Sequence, residues 1–167
     1  MEILKTKTDG LSFTGRLAIG IATAGGAGFA PKAPGTAGSA VGVLVYLAFE
    51  LTGAGAYYPH AIIFFLIAGI WASSHVERLY GHDSQRIVID EVVGQMMVFA
   101  FAAGRYRLSA FYIALGFGLF RLLDIVKPFP VRRLERLKGG LGVVADDAAA
   151  GVYALAVLNL IRYMAGH

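Results

Sequence analysis

The chain has 167 residues, of which 57% are hydrophobic and 16% are charged, and its formal net charge is +4. Its mean hydropathy of +0.64 lies outside the range of ordinary soluble domains, so we expect one membrane-embedded domain over residues 1–167. The absence of cysteine excludes disulfides, thiolate metal sites and a cysteine nucleophile. No aromatic-basic motif accompanies the lysines and arginines, which argues against nucleic-acid binding and favours contact with anionic lipid.

The N-terminal residues 11–29 are only weakly apolar, because they combine Arg16 with several glycines. This composition predicts an interfacial or partly inserted helix at the membrane surface.

Five apolar segments follow. Residues 33–49 carry no charge, and residues 51–74 carry none apart from a histidine, so these two segments predict the first two membrane spans. Residues 92–104, 108–120 and 148–161 are each too short to cross a bilayer unless their helices extend into the charged residues at their ends. The predicted fold is therefore an all-α, polytopic membrane helical bundle of about five short spans plus the N-terminal interfacial helix.

That extension brings five carboxylates to one membrane face, since neighbouring spans run in opposite directions. They are Asp90, Glu91, Asp124, Asp146 and Asp147. Most of the lysines and arginines fall on the same side if Met1 is cytoplasmic, so the positive-inside rule predicts a cytoplasmic active face.

Carboxylates that converge at a membrane boundary repel one another unless a cation offsets their charge. Magnesium takes one or two carboxylates, water and phosphate oxygens, so the cluster predicts a Mg²⁺ site that receives a phosphate substrate. Asp83, between the second and third predicted spans, is a further candidate ligand. For Asp146, an ordinary helix N-cap is the alternative, because residues 138–142 are predicted to be a flexible loop that leads into the paired aspartates.

Cationic and hydroxyl side chains near the same face are candidates for binding phosphate. Arg121, Asp124 and Lys127 follow at i, i+3 and i+6, and Pro128 is predicted to end their helix. We expect Lys127 and Arg121 to contact phosphate, although the three residues could form only a salt-bridge cluster.

The glycine-rich residues 30–39 precede the first predicted span. Thr36 and Ser39 add hydroxyl donors to its helix N-terminus, which is typical of a phosphate cradle but also of an ordinary turn and cap. Gly94 and Gly151 each follow a candidate acid by four residues, a spacing that would let neighbouring helices approach closely.

Four motifs occur in an order that resembles the phosphatidylglycerophosphatase A family, and the resemblance covers residues 12–160. They lie at residues 34–39, 87–94, 120–130 and 139–151. The resemblance implies Mg²⁺-dependent hydrolysis of the phosphate monoester of phosphatidylglycerophosphate to phosphatidylglycerol, a step of glycerophospholipid biosynthesis at the bacterial inner (cytoplasmic) membrane. The site positions that it implies are Asp83, Asp90, Glu91, Asp124, Lys127, Asp146 and Asp147, with Thr36 near phosphate. Val143 and Val144 stand where the family more often has isoleucine and methionine.

The five clustered carboxylates are accordingly expected to hold Mg²⁺ while Lys127 and the Thr36 segment hold the phosphate. Either an activated water or an aspartate attacks phosphorus, and the sequence leaves that choice open. Two other functions remain as alternatives: a CDP-alcohol phosphotransferase, whose expected aspartate-rich helical string is not found here, and a cation transporter or channel component, which would carry acids near mid-membrane. No feature of the sequence decides the oligomeric state.

Overall fold

The computed structural model describes residues 11–80, 86–134 and 136–166, and within these ranges every regular element is helical. The all-α prediction is therefore confirmed. Two short 3₁₀-helices cover Ala24–Phe29 and Gly55–Tyr57. The α-helices are α1 Phe13–Ala22, α2 Pro34–Leu51, α3 Tyr58–Tyr80, α4 Ile89–Val98, α5 Ala110–Val126, α6 Val131–Leu134 and α7 Gly140–Met164.

Helix α4 is the centre of the bundle, and α2, α3, α5 and α7 pack around it. It is apolar on nearly every side after its first turn, and seven of its ten residues are buried. A helix that is apolar all round is stable only when other elements cover it. The acidic pair Asp90 and Glu91 in its first turn is thereby held at one end of the bundle.

The neighbours of α4 alternate in direction. Helix α2 starts beside the start of α4, where Gly38 packs on Val88, and its far end meets the chain after α4, where Gly104 N donates to Glu50 Oε1 over 3.0 Å. Helix α3 runs the other way, since the hydroxyl of Tyr58 in its first turn donates to Met96 O near the end of α4. One end of the bundle therefore contains the starts of α2, α4 and α7 and the end of α5. We call it the acidic end.

Glycines allow α4 and α7 to cross in close contact, as their spacing predicts. A Cβ atom on Gly94 would lie 2.6 Å from the carbonyl oxygen of Asp147 and 2.5 Å from the ring of Phe120. Gly151 packs in the same way against Gly94 and Met97. These glycines bring the backbone that carries Asp147 next to the helix that carries the acidic pair.

Within the described ranges, three helices are long and apolar enough to cross a membrane: Pro34–Leu51, Gly55–Arg78 and Gly140–Met164. Their outer faces carry large apolar side chains, among them Leu44, Ile63 and Leu160, each more than half exposed. Such a surface is unfavourable in water and suits lipid. The structure thus supports a membrane protein, whereas the predicted count of five spans is not confirmed.

The predicted third span is too long. Helix α4 ends at Val98 rather than near residue 104, and ten residues extend only about 15 Å. Residues 99–105 form turns because Phe99 is buried against the ring of Tyr46, with ring centroids 4.6 Å apart, and Gly104 adopts a left-handed φ of 70°. After α4 the chain therefore continues as turns to the far end of α2, where Gly104 meets Glu50, before α5 begins.

Two other predicted boundaries also shift. Helix α3 begins at Tyr58, inside the second apolar segment of residues 51–74, because Thr52 and Gly53 form a turn in which Gly53 has φ 72°. Within residues 11–29 the expected helix is α1, whose end is fixed by the bond from Val88 N to Ala22 O, 2.9 Å long. Its location at a membrane surface stays a prediction.

Helix α7 starts earlier than predicted. Residues 140–142 belong to its first turn, so the expected flexible loop into the paired aspartates is wrong there, and Gly139, not Asp146, is the N-cap. The reason is a long-range contact: Gly140 N donates to Ser74 Oγ over 2.9 Å, and a Cβ atom on Gly140 would lie 2.7 Å from Ser74 N. Asp146 and Asp147 consequently lie in the second turn of a rigid helix.

Candidate active site

Three carboxylates meet where α4 and α7 cross at the acidic end. Asp90, Glu91 and Asp147 each offer one oxygen, and these oxygens all lie within 4.8 Å of one another. Asp147 is almost completely buried, with 4% of its surface exposed, and the other two are partly buried. We call these three residues the acidic triad.

Each member of the acidic triad has a buried oxygen that finds no hydrogen-bond partner among the described residues: Asp90 Oδ1, Glu91 Oε2 and Asp147 Oδ2. Buried acceptors without partners are costly, and like charges at this distance add to the cost. A hard divalent cation, which prefers carboxylate oxygens, would satisfy both requirements at once. The donor set therefore fits Mg²⁺.

Asp124 lies beside the acidic triad but is paired with a cation. Its carboxyl group is next to those of Glu91 and Asp147, and Arg121 Nη1 contacts its Oδ2 at 2.9 Å. The same nitrogen of Arg121 donates to Ser39 Oγ over 3.3 Å. Arg121 therefore holds a positive charge against the triad while it neutralises Asp124.

Ser39 and Gly35 support this arginine from α2. The buried hydroxyl of Ser39 donates its proton to Gly35 O over 2.9 Å and accepts from Arg121. A Cβ atom on Gly35 would lie 3.1 Å from the Glu91 carboxyl carbon and 3.3 Å from Arg121 Nη1. In this geometry Ser39 positions Arg121, and its proton is already committed.

Lys127 and Asp146 form a second pair on the other side of the acidic triad. Lys127 Nζ contacts Asp146 Oδ2 at 2.7 Å, while Asp146 Oδ1 is buried and has no hydrogen-bond partner in the part of the chain that the structure describes. Lys127 ends α5 in a left-handed conformation, φ 46°, and Pro128 follows it, as the sequence predicts. The lysine thus reaches back over the start of α7.

Two predicted site residues make no contact to the acidic triad that the structure describes. Thr36 lies in the first turn of α2 at the acidic end, but its side chain is exposed and makes no hydrogen bond to another described residue. Its N–H donates to Ala33 O over 3.0 Å. Asp83 lies outside the described residues.

The sequence did not single out Gln95 as a site residue. It is completely buried one helical turn beyond Glu91, and neither its amide oxygen nor its amide nitrogen has a partner among the described residues. It packs closely on Gly42 of α2. Its i,i+4 spacing from Glu91 was visible in the sequence, but its burial depends on the packing of α2.

Comparisons with known proteins identify the family of the chain. The model of the family described as Phosphatidylglycerophosphatase A matches residues 20–162. Two proteins named Phosphatidylglycerophosphatase A are similar to the chain: that of Haemophilus influenzae is 36% identical over 83% of the chain and 84% of its own length, and that of Escherichia coli is 30% identical over 85% and 79%. A Bacteroides thetaiotaomicron protein named "Putative phosphatidylinositol-3-phosphatase" is 39% identical over 87% of the chain and 94% of its own length. No solved structure matches the chain.

Proposed function

This chain belongs to the phosphatidylglycerophosphatase A family, and on that premise we propose that it hydrolyses the phosphate monoester of phosphatidylglycerophosphate to give phosphatidylglycerol in glycerophospholipid biosynthesis. It is an enzyme of the hydrolase class, a membrane lipid phosphatase. The observation that carries the proposal is the acidic triad, flanked by Arg121 and Lys127, at one end of apolar helices. That is where the headgroup of a lipid would lie while its acyl chains stay in the membrane.

We assign Asp90, Glu91 and Asp147 as the residues that hold Mg²⁺, with Asp124 and Asp146 beside them as further ligand candidates. Bound there, the ion would offset the charge that develops on the phosphoryl oxygens and would polarise the ester. Asp83, outside the described residues, stays a proposed ligand.

The cations of the site would bind the other phosphoryl oxygens. Arg121 is held in place by Asp124 and Ser39, and Lys127 by Asp146, so both charges are positioned before substrate arrives. Preorganised cations stabilise a phosphoryl-transfer transition state without reorganisation at the moment of reaction. Thr36, exposed in the first turn of α2, would add a hydroxyl donor at the outer edge. Either a water or one of the aspartates supplies the attacking oxygen.

We place the active face on the cytoplasmic side of a bacterial inner membrane and treat residues 1–167 as one domain. The cytoplasmic placement is supported by the positive-inside rule, since the predicted topology puts most lysines and arginines on the side of the acidic end if Met1 is cytoplasmic.

A second substrate is favoured by the Bacteroides relative, whose name refers to a phosphatidylinositol 3-phosphate. Its headgroup also presents a phosphate monoester at the membrane surface, and the same site chemistry would serve it. The two substrates differ in the group that carries the phosphate, an inositol ring against a glycerol.

The test is phosphate release by the purified protein in detergent from three lipids: phosphatidylglycerophosphate, phosphatidylinositol 3-phosphate and phosphatidic acid. We expect release chiefly from phosphatidylglycerophosphate with Mg²⁺, and its loss with EDTA because the acidic triad then has no cation. Restoring Mg²⁺ should restore the rate, which controls for unfolding. Preference for the inositol lipid would replace the proposed substrate, and EDTA-resistant release would contradict the metal assignment.

The pair Lys127 and Asp146 allows a sharper test of phosphate contact. Lys127→Met should leave Asp146 buried without its cation and lower stability by about 2 kcal/mol, less than for a fully buried pair because the lysine is 26% exposed. Adding Asp146→Asn should recover the melting temperature. If Lys127 binds phosphate, the double variant stays slower than Asp146→Asn alone, with KM about tenfold or more above that of the single variant. Recovery of both stability and activity would show that the pair is only structural.

A further inference from the structure

An apolar groove of about 290 Å³ lies between α1, α2, α3 and α4, apart from the acidic triad. Its volume is near the lower end of ligand-binding pockets, about 300–1,000 Å³. Its walls carry the apolar side chains of Val41, Val45, Phe64, Phe65, Ile89 and Val92. The described residues that line it include no charged side chain.

The groove opens toward the outside of the bundle. Gly20 and Gly25 line it and are both exposed, and Phe64 is 66% exposed. A Cβ atom on either glycine would meet no other atom within 4 Å. Since α2 and α3 are candidate membrane spans, we expect the opening to face the hydrocarbon of the bilayer.

The groove and the acidic triad share the first turns of α4. Ile89 and Val92 line the groove, and Asp90 and Glu91, the two residues between them, turn to other sides of the same helix. The end of α1 is bonded to this point, because Val88 N donates to Ala22 O. A molecule in the groove therefore has one end beside the start of α4, next to the carboxylates.

We propose that this groove binds one acyl chain of the lipid substrate and thereby orients its headgroup at the acidic triad; the proposal rests on the proposed phosphatase function. An acyl chain in the bilayer is already surrounded by hydrocarbon, so the groove gains little from the hydrophobic effect. Its gain is positional: a chain held along α4 restricts the phosphate to the side where the carboxylates lie.

A substitution that fills the opening of the groove tests the proposal. Gly20→Leu places a side chain into the opening of the groove. Gly118→Leu is the matched control. Gly118 is also an exposed helical glycine whose added Cβ would meet no described atom within 4 Å, but it lies outside the groove. The substrates are dioleoyl phosphatidylglycerophosphate and its deacylated headgroup. We expect Gly20→Leu to lower kcat/KM about tenfold for the dioleoyl lipid and to leave kcat/KM for the deacylated headgroup unchanged. Gly118→Leu should change kcat/KM for neither substrate.

Crosslinking supplies a readout that does not require turnover. Phosphatidylglycerol with a diazirine in one acyl chain should label Val41, Val45 or Phe64 in wild-type protein, and excess dioleoyl phosphatidylglycerophosphate should reduce that labelling. Labelling that the substrate does not reduce would indicate a structural lipid and overturn the proposal, as would labelling elsewhere.

The outcomes separate the two proposals. Wild-type protein that hydrolyses the dioleoyl lipid, with a Gly20→Leu variant that keeps the same ratio between substrates, would overturn the groove assignment and leave the phosphatase intact. Wild-type protein that releases no phosphate from any lipid would overturn the proposed function itself.

Discussion

Asp147→Asn is expected to lower kcat about a thousandfold and to remove the response to Mg²⁺. Asparagine has nearly the shape of aspartate, so the packing of α7 against α4 is preserved while one of three negative ligands is lost. Phosphate release across a Mg²⁺ titration measures the effect. Asp90→Asn should behave in the same way, because the wild-type Asp90 carboxylate lies within 4.8 Å of the other oxygens of the acidic triad.

Thermal melting distinguishes a lost ligand from a damaged fold. Without metal, Asp147→Asn should be at least as stable as wild type, since it removes one of the charges that repel one another. Added Mg²⁺ should raise the melting temperature of wild type and leave the variant unchanged, because a ligand stabilises only the state that binds it.

Glu50→Gln is the control, at the opposite end of the bundle. Glu50 accepts from Gly104 N, and a glutamine oxygen can accept the same bond. The Glu50→Gln variant should therefore keep both its phosphatase activity and its dependence on Mg²⁺. A fully active Asp147→Asn protein with an unchanged Mg²⁺ titration would show that the acidic triad is not the metal site.

Gly94→Ala is expected to destabilise the protein by about 2–4 kcal/mol or to prevent folding. The new methyl group would overlap the ring of Phe120 and the carbonyl oxygen of Asp147, and backbone cannot move aside as a flexible side chain can. The measurement is the melting temperature in detergent together with the yield of monodisperse protein.

Gly118→Ala is the matched substitution, in α5, where a Cβ atom meets no neighbour within 4 Å. Alanine favours a helix over glycine by about 0.5–1 kcal/mol, so this variant should be as stable as wild type or slightly more so. Equal melting temperatures for the two alanine variants would contradict the close crossing of α4 and α7, on which the position of Asp147 depends.

The acidic end could be predicted from the sequence for a physical reason. Charged groups are costly in hydrocarbon, so Asp90, Asp124 and Asp147 mark helix positions at a membrane boundary, and alternation of helix direction then brings them to one end. Pro128 likewise ends α5 through a local steric effect that needs no tertiary contact. Gly94 and Gly151, each four residues after an acid, likewise predicted close helix packing from spacing along one helix.

The pairing of charges within the acidic end could be predicted only in part. All five carboxylates were expected to hold a cation, yet the structure leaves oxygens of Asp90, Glu91 and Asp147 converging and pairs Asp124 with Arg121 and Asp146 with Lys127. The i,i+3 spacing of Arg121 and Asp124 on one helix allows their salt bridge to be foreseen. The pair of Lys127 and Asp146 depends on how α5 and α7 pack, and spacing along one helix carries no information about that.

By itself, then, the sequence determined an all-helical membrane protein with its acids at one end, because hydrophobicity and the cost of buried charge act residue by residue. Only the tertiary structure decided where α4 ends and where α7 begins, through the contacts of Phe99 with Tyr46 and of Gly140 with Ser74. It also decided which carboxylates are left for a cation, and it formed the apolar groove between four helices. These features depend on residues far apart in the chain, whose contacts exist only once the helices have packed.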